Sequence, residues 1–194
     1  MSNIDKAIFG DSVDATVNRG AGQTELLGLN GLYKAECFDS SGNLKWSDVI
    51  ENLTTNVGRQ NLLQTYFISN AGSGAVVMGL KGTGTAAYGD TQSSHAGWLE
   101  VGSTNAPAYS GTRKTPSFTT TTTANPAVLA TSAAVVFTIT SSGTVAGAFI
   151  NVGGSSAIDN TTGTLFSAGD FSGGSRTVSS GDTLSVTYTL SAAG

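Results

Sequence analysis

Charge is scarce in this chain: Asp, Glu, Lys and Arg together make up 11% of its 194 residues, less than half of what a soluble domain ordinarily carries. The shortage deepens toward the C-terminus. From Thr115 to Gly194 there is one base, Arg176, and three acids, Asp159, Asp170 and Asp182. A surface so weakly charged repels its neighbours little, which suits packing against many copies of itself or of another protein. With a net charge of −4 and no cluster of Lys and Arg, the chain lacks what a nucleic-acid binder needs to displace phosphate counterions.

Cysteine and histidine are nearly missing. A single cysteine, Cys37, excludes an internal disulfide framework and any multi-cysteine metal site, and reads as a buried small hydrophobe. Any Ser-His-Asp or Cys-His centre would have to be built on the one histidine, His95. No G-x-S-x-G elbow accompanies it, and Thr91-Gln92-Ser93-Ser94 beside it reads as polar surface. Zinc would need carboxylates for most of its ligands, an uncommon set. No apolar run approaches the roughly 20 residues that cross a bilayer. The N-terminus, with Asp5, Lys6 and Asp11, has no apolar signal core, so synthesis in a cytoplasm without an export signal is expected.

What the chain does hold is small hydroxyls and patterned apolar residues. Ser and Thr number 51, Gly 26, and apolar residues make up 39%. A flexible linker would share the Gly, Ser and Thr but not the alternating Val, Ile, Leu and Phe. Residues 1–27 lack either periodicity and read as an extended arm, with Ile4, Ile8 and Phe9 as anchors and Gly20-Ala21-Gly22 as a hinge. Residues 28–194 read as one β-sandwich domain. Leu29 to Phe38 alternates, with Leu29, Gly31, Tyr33, Ala35 and Cys37 on one side and Lys34 and Glu36 on the other. Asp39-Ser40-Ser41-Gly42-Asn43 supplies a turn, and Leu44 to Trp46 returns as a hairpin.

Asn52 to Ile68 predicts the one helix, capped by Thr54, Thr55 or Asn56, with Val57, Leu62, Leu63, Tyr66 and Phe67 on its apolar face. Asn70-Ala71-Gly72-Ser73-Gly74 breaks it. Ala75 to Leu80 reads as a short strand, Lys81 to His95 as a long polar loop, and Trp98 to Val101 as a strand. Pro107 to Thr115 carries Tyr109, Arg113 and Lys114, and Thr119 to Thr123 favours strand through β-branching. Further strands are expected over Ala134–Thr140, Val145–Val152, Thr164–Phe171 and Thr183–Ser191. In the last, Leu184, Val186, Tyr188 and Leu190 face one way and Thr183, Ser185, Thr187 and Thr189 the other. The pattern is that of an all-β antiparallel sandwich or jelly roll with one short helix.

Candidate chemistry is thin. Lys81-Gly82-Thr83-Gly84-Thr85 has the composition of a phosphate cradle, but Lys81 precedes the glycines and no Gly-Lys-Ser/Thr opens a helix, so a turn is favoured. Asp90 with Glu100, or Asp159 with Asp170, has the residue types of a glycosidase acid pair. Asp159-Asn160-Thr161-Thr162-Gly163 lacks the alternating acids of a calcium loop and reads as a polar turn. Trp46, Trp98, Tyr88 and Tyr109 suit either core packing or a sugar-binding platform. No catalytic, cofactor-binding or metal-binding residue is assigned.

Three stretches carry a resemblance. The first is Gly31-Leu32-Tyr33 through Asp39-Ser40-Ser41-Gly42-Asn43-Leu44-Lys45-Trp46, with Asn52, Thr55-Asn56-Val57-Gly58 and Leu62-Leu63. The second is Gly82-Thr83-Gly84 with Asp90-Thr91, His95, Trp98 to Glu100 and Tyr109 to Arg113. The third is Val145 to Asn151, Leu165-Phe166-Ser167 and Ser180-Gly181-Asp182-Thr183-Leu184. Their order, from about residue 29 onward, resembles a family of small virion proteins of tailed bacteriophages. The resemblance implies a non-enzymatic structural role in the virion, with no functional residue to transfer. Together with the low charge and the arm, it leads to the expectation of a capsid decoration or cement protein. Such a protein would be made in the host cytoplasm, bind the major capsid protein or other virion proteins, and form a homo-oligomer, for which a trimer is one arrangement. No nucleic-acid or membrane partner and no cofactor are expected. A tail, collar or fibre component is the nearest alternative; a carbohydrate-binding module or small glycosidase is the alternative of another class.

Overall fold

The computed structural model describes residues 28–64, 74–119 and 126–193. The expected arm (1–27), the rear of the expected helix with Tyr66 and Phe67, and most of the threonine run lie outside the described residues. Within them, eleven strands and one helix follow in the order β1 (Gly28–Phe38), β2 (Leu44–Thr54), α1 (Asn56–Gln64), β3 (Val76–Gly84), β4 (Trp98–Val101), β5 (Ala127–Ala130), β6 (Val135–Thr138), β7 (Gly143–Val145), β8 (Gly147–Val152), β9 (Thr164–Asp170), β10 (Arg176–Val178) and β11 (Thr183–Ala193). The chain is all-β, as its alternation predicts.

Every pairing is antiparallel, and one sheet runs β4-β3-β8-β9-β2-β1-β11-β5, with β6 also on β11. It folds over at β2. Leu44 to Asn52 pairs with β1, and Leu53 and Thr54 pair with Ala168 and Ser167 of β9, so one strand serves both layers of the sandwich. The core lies between the layers. Rows read across the first layer are Ile50–Tyr33–Tyr188, Asp48–Ala35–Val186–Val135 and Trp46–Cys37–Leu184–Phe137. Met78, Leu80, Ala148, Ile150 and Phe166 of the second layer join the same cluster. Burying side chains of this size contributes about 1.5–3 kcal/mol each. Tyr33 also ties the layers by hydrogen bonding: its ring lies 4.7 Å from that of Tyr188, and its hydroxyl is 2.7 Å from Ser167 Oγ on β9.

The β1–β2 hairpin forms as its sequence predicts. The Asp39 carboxylate accepts from the N–H groups of Ser41 (2.9 Å) and Asn43 (2.8 Å), and Gly42 adopts φ +85, a conformation that costs other residues more. The expected helix start is corrected: Asn52 to Thr54 belong to β2, and Thr55 is the cap. Its Oγ1 accepts from Gly58 N at 3.0 Å and its carbonyl from Arg59 N at 3.0 Å. Gly58 sits where a Cβ would come within 2.3 Å of Phe166 O, which is what lets α1 lie directly on β9.

Three further boundaries differ from the sequence reading. The expected loop from Lys81 begins as strand, since β3 continues to Gly84. The expected strand Val145–Val152 divides into β7 and β8. Two short strands, β5 and β10, were not foreseen. β8 is buried along its whole length and β9 over most of its own; strands covered on both faces lose the polar alternation that marks a half-buried one.

Candidate functional site

The outer face of the second layer holds two ion pairs, Lys81–Asp170 and Arg113–Glu100. Register places Glu100, Lys81, Gly147 and Asp170 in one row across β4, β3, β8 and β9. Gly147 has no side chain, so Lys81 Nζ reaches past it to the Asp170 carboxylate. The lysine is fully buried, donates as well to the carbonyls of Gly82 and Gly84, and lies 5.7 Å from the centre of the Trp98 ring. Beside it, Arg113 pairs with Glu100 in a two-pronged contact, Nε to Oε1 at 2.8 Å and Nη2 to Oε2 at 2.6 Å. Both side chains are almost wholly buried, and the guanidinium lies 5.4 Å from the centre of the Phe149 ring.

This pair organises two loops. Arg113 Nη1 donates to Ser155 O at 3.1 Å and Nη2 to Asn160 O at 2.7 Å, while Glu100 Oε2 accepts from Asp159 N at 2.9 Å. A buried ion pair offsets its desolvation only when its remaining donors and acceptors are filled, and here the loop 153–163 fills them. Asp159, held at φ 62, turns its carboxylate outward to accept from Ser103 Oγ at 3.0 Å.

Against this frame lies a cleft of about 430 Å³. Its base is Trp98 and Gln92, each 2% exposed. Its walls include His95, Leu99, Asp159 and Thr161. The His95 ring stacks on Trp98 with centroids 4.0 Å apart and planes 19° from parallel. Trp98 Nε1 donates to Asp90 Oδ2 at 2.9 Å, fixing the indole from its other end. Gln92 Nε2 donates to Asn160 O at 3.3 Å, while its Oε1 has no hydrogen-bond partner among the described residues.

The outer edge of β4 is closed by its own surroundings. Trp98 N donates to His95 O at 3.2 Å, His95 Nδ1 meets Trp98 O at 3.0 Å, and Asn105 Nδ2 donates to Glu100 O at 2.9 Å. Open strand edges invite pairing with other chains, and these contacts occupy that edge.

Several candidates from the sequence are thereby placed. His95 is a stacking and edge-capping residue. Asp90 and Glu100 are both near this site but each is held by structural donors, Asp90 by Trp98 and by Ala87 N at 2.8 Å. Asp170 pairs with Lys81, and Asp159 stands on the cleft rim. Lys81 turns onto the sheet, so the Gly-rich stretch forms no phosphate cradle. Trp98 and Tyr109 are buried, Trp46 packs against the core and Tyr88 is 57% exposed, so the four aromatics form no common exposed platform. No group of three or more His, Cys, Asp or Glu stands ready for a metal among the described residues. Sequence reasoning missed the Arg113–Glu100 pair and Gln92, since only the fold brings these residues together.

No protein-family model matches this chain, and neither a curated protein nor a solved structure shows a significant match to it.

Proposed function

We propose that the chain is a non-enzymatic structural protein of a tailed-bacteriophage virion, a decoration or cement protein that binds the major capsid protein and associates with its own copies. The observation that carries the reading is the outer face of the β2–β1–β11 layer. Across it run the rows Ser47–Glu36–Ser185–Val136, Val49–Lys34–Thr187 and Glu51–Leu32–Thr189–Ala130. Leu32, Val49 and Val136 are 45%, 37% and 47% exposed, set among hydroxyls, with Lys34 and Glu36 paired to each other and Glu51 the remaining charge of those rows. A broad sheet face of this composition loses little hydration on contact with another protein and meets little repulsion there. Ion pairing supports the same reading. Among the described residues five salt bridges (Lys34–Glu36, Lys45–Asp182, Lys81–Asp170, Arg113–Glu100, Arg176–Asp48) neutralise much of the charge.

The test is assembly. Leu32→Asp combined with Val136→Asp places two carboxylates on the face; the isolated domain should keep its melting temperature within a few degrees, since both positions are exposed. Incorporation into particles should fall at least about tenfold, the equivalent of 1.4 kcal/mol. Undiminished incorporation refutes the face as the contact. Electron microscopy of particles carrying the tagged chain distinguishes shell from tail, collar or fibre, and absence from every particle refutes the virion reading itself.

A further inference from the structure

We infer that the cleft beside β4 is a binding site for a neutral sugar residue. Its size falls in the range of small-ligand pockets, about 300–1,000 Å³, and its chemistry narrows the ligand by elimination. The cations nearest it are already engaged: Arg113 makes four hydrogen bonds to Glu100, Ser155 and Asn160, and Lys81 is directed to Asp170. The Asp159 carboxylate stands on the rim. A phosphate, sulfate or carboxylate would meet negative charge with no cation to receive it. An extended peptide is disfavoured because His95 and Asn105 occupy the β4 edge that a new strand would need. A metal ion lacks its ligand set among the described residues.

What the cleft does offer is an apolar surface flanked by neutral donors and acceptors. The His95 ring, backed by Trp98, and the Leu99 side chain, 61% exposed, form the apolar part. Ser93, Ser94 and Thr161 bring hydroxyls and Asp159 an acceptor. A pyranose has this division: C–H groups on one face and hydroxyls around its edge. A ring lying over His95 and Leu99 directs hydroxyls to the Asp159 carboxylate and to the Ser93, Ser94 and Thr161 hydroxyls. The site is independent of the virion reading, since it lies on the second layer and the proposed shell contact on the first.

The full chain supplies its own reporter, because it has only two tryptophans and the Trp98 indole N–H can be assigned by comparison with Trp46→Phe. Methyl glycosides of glucose, galactose, mannose and N-acetylglucosamine are titrated against the labelled protein, with glucuronate and inorganic phosphate as charged probes. At least one neutral glycoside should move the Trp98 resonance saturably. Asp159→Asn, an exposed change compatible with positive φ, should weaken that binding about tenfold. Ala96→Phe, on the exposed cleft wall, should abolish it while leaving the rest of the spectrum in place. The inference is overturned if no neutral glycoside moves the resonance, if glucuronate or phosphate moves it equally, or if the folded Ala96→Phe variant binds as well as the parent. None of these results bears on particle incorporation, so the two proposals fail separately.

Discussion

Individual side chains in this protein are governed by how few charges there are and by the deep burial of several of them, Asp48, Lys81, Asp90, Glu100, Arg113 and Asp182. Cys37 is fully buried, and burial, the nearby Asp182 carboxylate and their hydrogen bond push its thiol up to about 11, against the smaller opposing pull of Lys45. The thiol should therefore be inert in the native state at pH 8, with alkylation proceeding at the rate of unfolding; rapid labelling of the folded protein would contradict that. The sign of the linked pH effect follows. An unfolded thiol ionises from about pH 9, so the unfolded state binds fewer protons above that pH and stability falls as pH rises toward 11. Tyr33 and Tyr188, both raised by burial, add to the loss at higher pH.

Asp48 works in the opposite direction. Burial alone would raise its carboxyl, but Arg176, Ser172 and the N–H groups of Val49 and Gly173 outweigh burial and hold it below the usual carboxylate range. Its contribution is therefore present above the unfolded pKa, near 4, and disappears as pH falls through the lower folded value. Asp48→Asn should cost about 1.5–3 kcal/mol at neutral pH and leave a flatter stability curve as pH falls through and below the usual carboxylate range. Urea titrations across pH measure both, and an unchanged acid limb in the variant would remove Asp48 from the account.

At the scale of elements, legibility tracks how many faces of a strand are covered. β11 has one face in the core and one outside it, so its alternation could be read directly: Leu184, Val186 and Tyr188 are at most 2% exposed while Thr183, Ser185, Thr187 and Thr189 are half-buried. Leu190 is only partly buried but packs on the core as expected. Val186→Asp should cost about 3–5 kcal/mol, because an unpaired charge enters an apolar layer, and Thr187→Asp about 0.5 kcal/mol or less. Equal denaturation midpoints in the two variants would contradict the assigned faces. β3, β8 and β9 are covered on both sides and carry no such signature; the limits of β3 and β8 differ from those expected, while β9 matches the expected Thr164–Phe171 to within one residue. The start of α1 was misread for a different reason. Asn52 to Thr54 suits a helix terminus by local preference, but the pairing of Leu53 and Thr54 with β9 claims those residues for the corner between the layers.

For the whole molecule, the two layers have different outer faces. The second is roofed by α1 and by loops pinned through Arg113 and Glu100; the first presents Leu32, Val49 and Val136 with no element over them among the described residues. Residues 1–27 have too few periodic apolar side chains to offset an ordering cost of about 1–2 kcal/mol per residue on their own. Deleting residues 1–22 should leave the melting temperature of the domain nearly unchanged and abolish incorporation into particles. Unaltered incorporation would show that the arm is not the anchor, and a large fall in melting temperature would make it part of the sandwich.

Local patterns in the chain were enough for the fold class, the hairpin with its Gly42 turn, the inward faces of β1 and β11 and the burial of Cys37. Each of these follows from patterns only a few residues long: alternation, turn chemistry and side-chain polarity. The tertiary structure alone decided that β2 bends from one layer into the other, and that Lys81 crosses Gly147 to Asp170. It alone brings Glu100, Gln92, His95 and Asp159 around one cleft, with Arg113 paired to Glu100. Those contacts join residues from 13 positions apart (Arg113 and Glu100) to 89 (Lys81 and Asp170), and a residue's neighbours across a sheet are set by strand order and register, which no local pattern encodes.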